Sequence, residues 1–431
     1  MKIGFVSLGC SKNLVDTEMM IGLAEKNELE IVNNEKEADI ILINTCGFIE
    51  SAKQEAINTI LEMAEYKKNG NCKFLIVTGC LVQRYKSELQ ESIPEVDLFI
   101  SIDEYNNFGK ILQDLISKKI NSPVLNYEDR YLTTGNATAY LKIAEGCSNR
   151  CTYCAIPYIR GPYESRKMED ILEEAARLDK KGIKEIIVIA QDTTKYGIDI
   201  YGKPMLAELL KKLCEFNSFK WIRFLYAYPE SVTEELIQTV KNNDKICKYF
   251  DIPIQHISDT VLKRMNRKST GEEIEKLIEK IKREIPEVVL RTSLIVGFPG
   301  ETEEDFNKLY NFVEKTKFNK LGVFEYSKED GTPAEKLKEQ ISAKTKNKRW
   351  NKIMSLQQTI SEEKLKQYIG QEVEVLVEKV TDKYIIGRTR MDVPEMDGLV
   401  YIKNTSNVNI GEIINSVITS VKEYDLIGRL K

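Results

Sequence analysis

The chain contains a single histidine, His256, among its 431 residues. This scarcity excludes metal centres built from several histidines. No apolar run approaches the roughly 18 residues that a membrane-spanning helix needs. The N-terminal stretch MKIGFVSLGC is broken by glycine and lacks the apolar core of a signal peptide. We therefore expect a cytoplasmic protein that has no membrane partner.

The composition is that of a globular enzyme with more than one domain. Hydrophobic residues make up 42% of the chain and charged residues 30%, which is usual for folded soluble proteins. A chain of 431 residues is too long for one ordinary core. A net charge of −4 argues against a nucleic-acid-binding surface that covers the whole protein. In a reducing compartment, the nine cysteines indicate metal binding or catalysis rather than disulfides.

Hydrophobic patterning divides the chain into three folded units and a linker. Residues 1–120 alternate β-rich runs with helical stretches, which predicts an α/β domain with a doubly wound parallel sheet. Residues 121–137 lack a helical pattern and are expected to form a linker. Residues 138–367 contain six further βα units, too few for a closed eightfold barrel, so we expect a partial open barrel. Residues 368–431 predict a small all-β barrel.

Three cysteines of the first domain each follow a predicted strand. Cys10, Cys46 and Cys80 occur in SLGC, NTCG and VTGC, each with a neighbouring glycine. Because the carboxyl ends of parallel strands share one edge of a sheet, we expect the three thiols to converge there. The alternative is that they are small buried residues at strand ends. Convergence at three equivalent strand ends favours a metal site.

A second group of cysteines lies in AEGCSNRCTYCAIP, residues 144–157. Cys147, Cys151 and Cys154 form a CxxxCxxC motif directly after the first strand of the second domain. Structural zinc takes four ligands, and no histidine or further cysteine lies within the next fifty residues. A 4Fe–4S cluster normally takes four thiolates, so three would leave one iron open to a substrate.

In this setting, CxxxCxxC with the aromatic Tyr153 before its last cysteine resembles the radical S-adenosylmethionine (SAM) superfamily. The resemblance implies that SAM binds the open iron and is reduced to a 5′-deoxyadenosyl radical. Tyr153 then becomes a candidate cofactor-binding residue. Six further segments are similar to those of the methylthiotransferases, namely GCSKNLVDTE, NTCGFIESAKQE, TGCLVQRY, EGCSNRCTYCAIPYIRGPYESR, DIPIQHISDTVLKRMNR and SLIVGFPGETEEDF.

The likeness to the methylthiotransferases covers the chain from end to end. It implies an N-terminal cluster domain, a radical SAM domain and a C-terminal TRAM barrel. It also implies a second 4Fe–4S cluster on Cys10, Cys46 and Cys80 that carries or donates the sulfur. One SAM would supply the methyl group, and another the radical that removes a hydrogen from the substrate. An external one-electron reductant of the flavodoxin or ferredoxin type is then expected.

Two branches of this family differ in substrate. One methylthiolates an adenosine of tRNA, and the other the β-carbon of an aspartate in the twelfth small-subunit ribosomal protein. SLGCSKNLVDTE is similar to the ribosomal-protein branch, whereas the tRNA branch reads GCQMN. Residues 371–431 contain ten acidic and eight basic residues, and an acidic barrel suits a basic protein better than RNA. We therefore expect the ribosomal protein as substrate and an association with the ribosome. A non-catalytic two-cluster electron carrier remains the alternative from another class.

Five other residues are candidates for the site because they follow predicted strands. Gln255 and His256 in DIPIQH are candidate catalytic residues, although a lone histidine is commonly a packing residue. Gln191 and Asp192 in AQDTTKYG are candidate cofactor-binding residues, positioned to meet SAM or substrate. Gly297 in IVGFPGET would let the backbone approach the SAM adenosyl group, although a tight turn explains this glycine equally well.

Overall fold

The computed structural model describes residues 1–117, 124–405 and 407–431. Parts of the predicted first domain and linker, residues 118–123, therefore lie outside the described residues. Among the described residues, no helix combines the length and the apolar character that crossing a bilayer requires.

The N-terminal domain is a parallel sheet with the strand order β2-β1-β3-β4-β5. Every residue of its central strand β3 is buried, as expected for a sheet covered by helices on both faces. The predicted parallel α/β architecture is confirmed. Its strands are β1 (Lys2–Ser7), β2 (Glu30–Ile31), β3 (Ile40–Thr45), β4 (Phe74–Gly79) and β5 (Leu98–Ile100). Its helices are α1 (Ser11–Lys26), α2 (Glu50–Ala64), α3 (Tyr66–Asn69), α4 (Cys80–Ser92) and α5 (Phe108–Ile116).

The central domain is the expected partial barrel of six parallel strands. β6, β9 and β10 pair in one group, and β11, β12 and β13 in another. A bridge between Ile222 and Ile246 joins the two groups. The barrel strands are β6 (Thr138–Lys142), β9 (Glu185–Ile189), β10 (Trp221–Phe224), β11 (Tyr249–Asp251), β12 (Val289–Val296) and β13 (Lys320–Glu325). The short strands β7 (Ala144–Glu145) and β8 (Glu164–Ser165) form a separate antiparallel pair.

The helices of the central domain pack their apolar faces against these strands. In α7, for example, Ile171, Ala175 and Leu178 recur at helical spacing and are all buried. The helices are α6 (Ile156–Arg160), α7 (Met168–Lys180), α8 (Ile198–Tyr201), α9 (Leu206–Leu213), α10 (Glu234–Asn242), α11 (Asp259–Arg264), α12 (Gly271–Glu284), α13 (Glu303–Thr316) and α14 (Ala343–Lys366).

The C-terminal domain is a closed five-stranded barrel, as the sequence predicts. It packs against the amino ends of the central strands. There Arg388 donates to Glu185 across 2.6 Å, and Arg223 contacts the same carboxylate at 3.2 Å. All three side chains are fully buried. Its strands are β14 (Glu372–Val380), β15 (Tyr384–Arg388), β16 (Val400–Lys403), β17 (Ile413–Val421) and β18 (Leu426–Leu430).

Candidate functional site

Cys10, Cys46 and Cys80, together called the N-terminal cysteine site, lie at one edge of the first sheet. Cys10 follows β1, Cys46 follows β3 and Cys80 begins α4 directly after β4. These three strands are neighbours in the sheet, so the three cysteines lie at one edge; their binding of a common cluster stays a prediction. Gly9 has a φ of +88°, and a Cβ at this position would lie 2.6 Å from the Cβ of Cys46. Only glycine lets the loop after β1 approach the loop after β3 so closely.

The buried side chain of Asn13 ties the three loops of the N-terminal cysteine site together. Its amide nitrogen donates to the Leu8 carbonyl at 3.1 Å and to the Thr45 carbonyl at 2.9 Å. Its side-chain oxygen lies 3.6 Å from the Cys80 sulfur. Burial raises the pKa of the Cys80 thiol to about 11, although the nearby Arg160 guanidinium opposes the shift. Metal binding would therefore have to displace a proton from this thiol.

Cys147, Cys151 and Cys154, together called the loop cysteine site, lie on the loop between β7 and α6. Cys147 and Cys151 are each 5% exposed. The backbone N–H of Cys154 donates to the Cys151 carbonyl at 3.1 Å, which holds the loop in a tight turn. The hydroxyl of Tyr228 lies 3.9 Å from the Cys151 sulfur, and an Arg267 nitrogen lies 4.0 Å from it. Burial raises the pKa of the Cys154 thiol, and the neighbouring cysteines raise it further.

A buried charged network crosses the boundary between the first two domains, beside the N-terminal cysteine site. Arg160, at the end of α6, pairs with Asp16 of α1 at 2.6 Å and donates to the Cys80 sulfur at 3.5 Å. Lys142 pairs with Asp16 at 2.5 Å and with Glu145 at 2.9 Å. Burial alone would raise the pKa of Glu145, but Lys142 and Arg160 outweigh it and lower that pKa. The two domains therefore meet through paired buried charges.

Gln191 and Asp192 are linked to the loop cysteine site by hydrogen bonds to residues that neighbour the cysteines in the chain. Gln191 donates to Glu145 at 2.6 Å, and its buried side-chain oxygen has no hydrogen-bond partner within the described residues. Asp192 accepts from Asn149, which lies between Cys147 and Cys151, at 2.9 Å and from Thr194 at 2.6 Å. Asp192 therefore positions the cysteine loop, and the SAM contact predicted for both residues stays a prediction.

Tyr153 and Gly297 lie in the wall beside the loop cysteine site. The ring of Tyr153 meets that of Phe298 edge to face, with 6.4 Å between centroids. Gly297 has a φ of +71°, and a Cβ there would lie 2.3 Å from Cγ of Lys346. The glycine therefore admits the Lys346 side chain from α14 as well as a sharp turn. Contact of Tyr153 or Gly297 with SAM stays a prediction.

Gln255 has an unusual backbone conformation, whereas His256 is marked by its burial. Gln255 has a φ of +67°, an uncommon conformation for a non-glycine residue, and such residues are frequent at functional sites. His256 is fully buried, and its Nδ1 accepts from the backbone N–H of Ser258 at 3.0 Å. Burial lowers the pKa of His256 to about 3, so the ring is neutral. Its Nε2 is buried and has no hydrogen-bond partner among the described residues, and the catalytic role of the pair stays a prediction.

Sequence reasoning missed the polar residues of the buried network. Helix α1 buries twelve of its sixteen residues, and Lys12, Asn13 and Asp16 are among them. A helix buried on all sides yet rich in charge is unusual. A buried charged residue also ends helix α6, in the segment IRGPYESR, where Arg160 is 8% exposed. These residues were detectable only once the burial of both helices was known.

The donor groups of both cysteine sites fit iron–sulfur clusters. All nine cysteines are free thiols. Within the described ranges, no three His, Cys, Asp or Glu side chains converge closely enough to share one metal ion. A cluster does not require such convergence, because each thiolate binds a different iron.

Family models match three parts of the chain. Residues 141–313 match the radical SAM superfamily, residues 2–101 match the uncharacterized protein family UPF0004, and residues 369–430 match the TRAM domain. Solved structures agree at the level of the fold. The radical SAM methyltransferase TsrM from Kitasatospora setae, with cobalamin and a 4Fe–4S cluster bound, superposes with a TM-score of 0.56 at 14% identity, over 77% of this chain and 76% of that chain. The fold and the cysteine motif thus define a radical SAM enzyme.

Curated relatives narrow the class. The ribosomal protein uS12 methylthiotransferase RimO of Alkaliphilus oremlandii is 63% identical over 100% of this chain and 99% of its own length. The protein of the same name from Clostridioides difficile is 52% identical over 99% of this chain and 98% of its own. The chain belongs to the uS12 methylthiotransferase family of radical SAM enzymes. Membership favours an enzyme over an electron carrier, and the ribosomal-protein branch over the tRNA branch.

Proposed function

We propose that this protein methylthiolates the β-carbon of an aspartate in ribosomal protein uS12, with two 4Fe–4S clusters and SAM. The names of the full-length relatives support the substrate. The observation that carries the two-cluster reaction is the position of Arg160. It lies six residues after Cys154 in the chain and contacts Cys80, so the segment that follows the loop cysteine site reaches the N-terminal cysteine site. Cys80 also packs with Ala155, the residue after Cys154, which supports a reaction that uses both sites.

The residues have separate roles in this proposal. Cys147, Cys151 and Cys154 would hold the cluster that binds SAM, and Cys10, Cys46 and Cys80 would hold the second. When bound, such clusters supply an electron to SAM and an open iron for a sulfur-bearing ligand.

The side chains around the cysteines orient these groups and exclude water. Asp192 fixes the cysteine loop through Asn149. Arg267 stacks on Tyr228, with 4.4 Å from the guanidinium carbon to the ring centroid, and together they cover Cys151. Arg160 and Asn13 do the same for Cys80.

The proposal implies partners that the chain itself does not contain. Each turnover needs an external one-electron donor, of flavodoxin or ferredoxin type. The substrate is a protein of the ribosome, so contact with the ribosome in the cytoplasm is expected. The acidic balance of residues 371–431 would favour the approach of a basic protein.

The test is a direct comparison of substrates with the reconstituted enzyme. Purified uS12 and bulk tRNA are each incubated with holoenzyme, SAM, a sulfur source and reductant, and then analysed by mass spectrometry. We expect a methylthio group on one uS12 aspartate and none on tRNA. Modification of tRNA with unmodified uS12 would overturn the substrate assignment. Absence of 5′-deoxyadenosine would overturn the reaction class.

A further inference from the structure

Lys12 is a buried cation without an acidic partner. Its side chain lies two residues after Cys10 on α1, and the residue is 7% exposed. The ammonium lies 3.7 Å from the centroid of the Tyr226 ring, which belongs to the central domain. Within the described residues, it makes no hydrogen bond and no ion pair. A buried charge is costly unless it is paired, so a partner that arrives from outside would stabilise it.

The carboxylates near Lys12 are already engaged by other cations. Asp16 pairs with Lys142 and Arg160, and Glu145 pairs with the same two side chains. Two acidic groups thus balance two basic groups. Lys12 adds one positive charge to this balanced set and faces the Cys10 thiol and Glu145, which favour its charged form. This interior can therefore accept further negative charge.

The tyrosine that Lys12 contacts has an unusual backbone conformation. Tyr226 follows β10 and has a φ of +61°. Its backbone N–H donates to the fully buried carboxylate of Asp251 at 3.0 Å, which holds the turn in place. The strained turn places the ring beneath the ammonium. The contact joins the domain of the N-terminal cysteine site to the domain of the loop cysteine site.

We propose that Lys12 binds the side-chain carboxylate of the substrate aspartate and so selects aspartate over asparagine. This inference rests on the proposed function, because it concerns the same substrate. The reacting β-carbon is bonded directly to that carboxylate carbon. A cation that holds the carboxylate at the domain boundary keeps the β-carbon between the source of the radical and the source of the sulfur. A lysine ammonium suits the task because it is a compact charge on a flexible stem.

The test pairs two enzymes with two peptides. A fluorescein-labelled synthetic peptide that spans the modified uS12 aspartate, and the same peptide with asparagine in its place, are titrated against reconstituted holoenzyme with SAM and without reductant. Fluorescence anisotropy gives Kd without turnover. We expect wild type to bind the aspartate peptide about 10- to 100-fold more tightly than the asparagine peptide, as for a hydrogen bond to a charged group. Lys12→Met should remove this preference, and Lys12→Arg should restore part of it.

Three controls separate a substrate-binding role of Lys12 from a role in folding or in cluster loading. Lys110→Met removes an exposed lysine from the same domain and should leave the preference intact. Iron content and circular dichroism check that Lys12→Met folds and loads its clusters, and Lys12→Gln serves if it does not. Under reduction, 5′-deoxyadenosine formation without peptide should match wild type.

Two outcomes would overturn the inference in different ways. If Lys12→Met keeps the aspartate preference while the EPR spectrum of its clusters changes, the lysine serves a cluster and the proposal is wrong. If wild type modifies tRNA and neither modifies nor binds the peptide, the proposed function has failed, and this inference falls with it.

Discussion

The two cysteine sites each consist of three thiols, yet they are assembled differently. The three cysteines of the loop cysteine site lie within eight consecutive residues. The three cysteines of the N-terminal cysteine site follow three different strands, so they come together only once β1, β3 and β4 have paired. One site is specified by the local chain, and the other by topology. The loop site therefore depends on local turns, while the N-terminal site depends on the whole sheet.

The surroundings of the two sites differ in a matching way. Arg267, beside Cys151, donates to the Pro253 carbonyl at 2.9 Å and stacks on Tyr228. Arg160, beside Cys80, is instead held by acidic groups of two domains. The loop site is thus covered by its own domain, whereas the N-terminal site is completed by a residue of its neighbour.

The largest expected effect separates the chemistry of the two sites. Cys151→Ala should abolish 5′-deoxyadenosine formation, because SAM would lose the cluster that reduces it. Cys46→Ala should retain SAM cleavage and lose methylthio transfer to uS12. Both variants should hold about half the iron of the wild-type protein after reconstitution, if each site binds one cluster.

Reversed-phase chromatography of 5′-deoxyadenosine and mass spectrometry of uS12 measure both activities in one reaction. Cys214→Ala, at a half-buried cysteine outside both sites, serves as the control and should behave as wild type. Equal loss of SAM cleavage in Cys46→Ala and Cys151→Ala would show that the sites do not divide the reaction.

A smaller effect sharpens the contrast between the two arginines. Arg160→Met leaves Asp16 and Glu145 with one cation fewer in a buried network, a change that costs about 3–5 kcal/mol of folding free energy. Arg267→Met removes hydrogen bonds and leaves no buried carboxylate without its ion pair among the described residues, so we expect roughly 1–3 kcal/mol.

Urea unfolding of the cluster-free variants measures both free energies. Arg283→Met is the matched control, since its side chain is 70% exposed and, within the described residues, forms one ion pair, with Glu284 at 3.6 Å. Its cost should stay within about 0.5 kcal/mol. An Arg267→Met variant as unstable as Arg160→Met would contradict the contrast.

The sequence predicts the features that depend on short range or on strand register. The spacing of Cys147, Cys151 and Cys154 identifies the loop site without any fold. Cys10, Cys46 and Cys80 require only the further assumption that their strands are parallel neighbours, and the sheet order bears out that assumption. The architectures of the three domains are also predictable, because hydrophobic alternation along each segment indicates its strands and helices.

The features that escaped prediction depend on tertiary contacts between distant segments. Residues 139–145 predict one strand, but the chain turns after Lys142, and β7 pairs with β8 instead. Hydrophobic periodicity does not show which strand a segment pairs with, so it cannot predict this change of partner. Likewise, Arg160 and Asp16 lie 144 residues apart, so no local pattern connects them. A role for Lys12 can be inferred only when the structure shows that its side chain is buried and forms no ion pair among the described residues.

The smallest effect uses pH to distinguish the two regions, because the only histidine lies in the central domain. Its pKa falls from the usual 6.5 to about 3 in the folded protein because the ring is buried. Below pH 6.5 the unfolded state therefore binds a proton that the folded state does not, and stability falls as the pH falls. Between pH 7 and pH 5 this costs the central domain about 2 kcal/mol. His256→Gln should remove that loss and leave the N-terminal domain unaffected.

Tryptophan fluorescence can follow this difference, since Trp221 and Trp350 both belong to the central domain. Burial raises the pKa of Glu301 to about 7, which makes stability fall as pH rises from about 4.5 to 7 and opposes the histidine. The contributions of these two groups to stability therefore oppose each other over this range. His256→Gln should lose stability as pH rises, and Glu301→Gln should lose it as pH falls. Parallel pH profiles for wild type and His256→Gln would mean that the histidine is not held neutral, which would reopen a proton-transfer role for it.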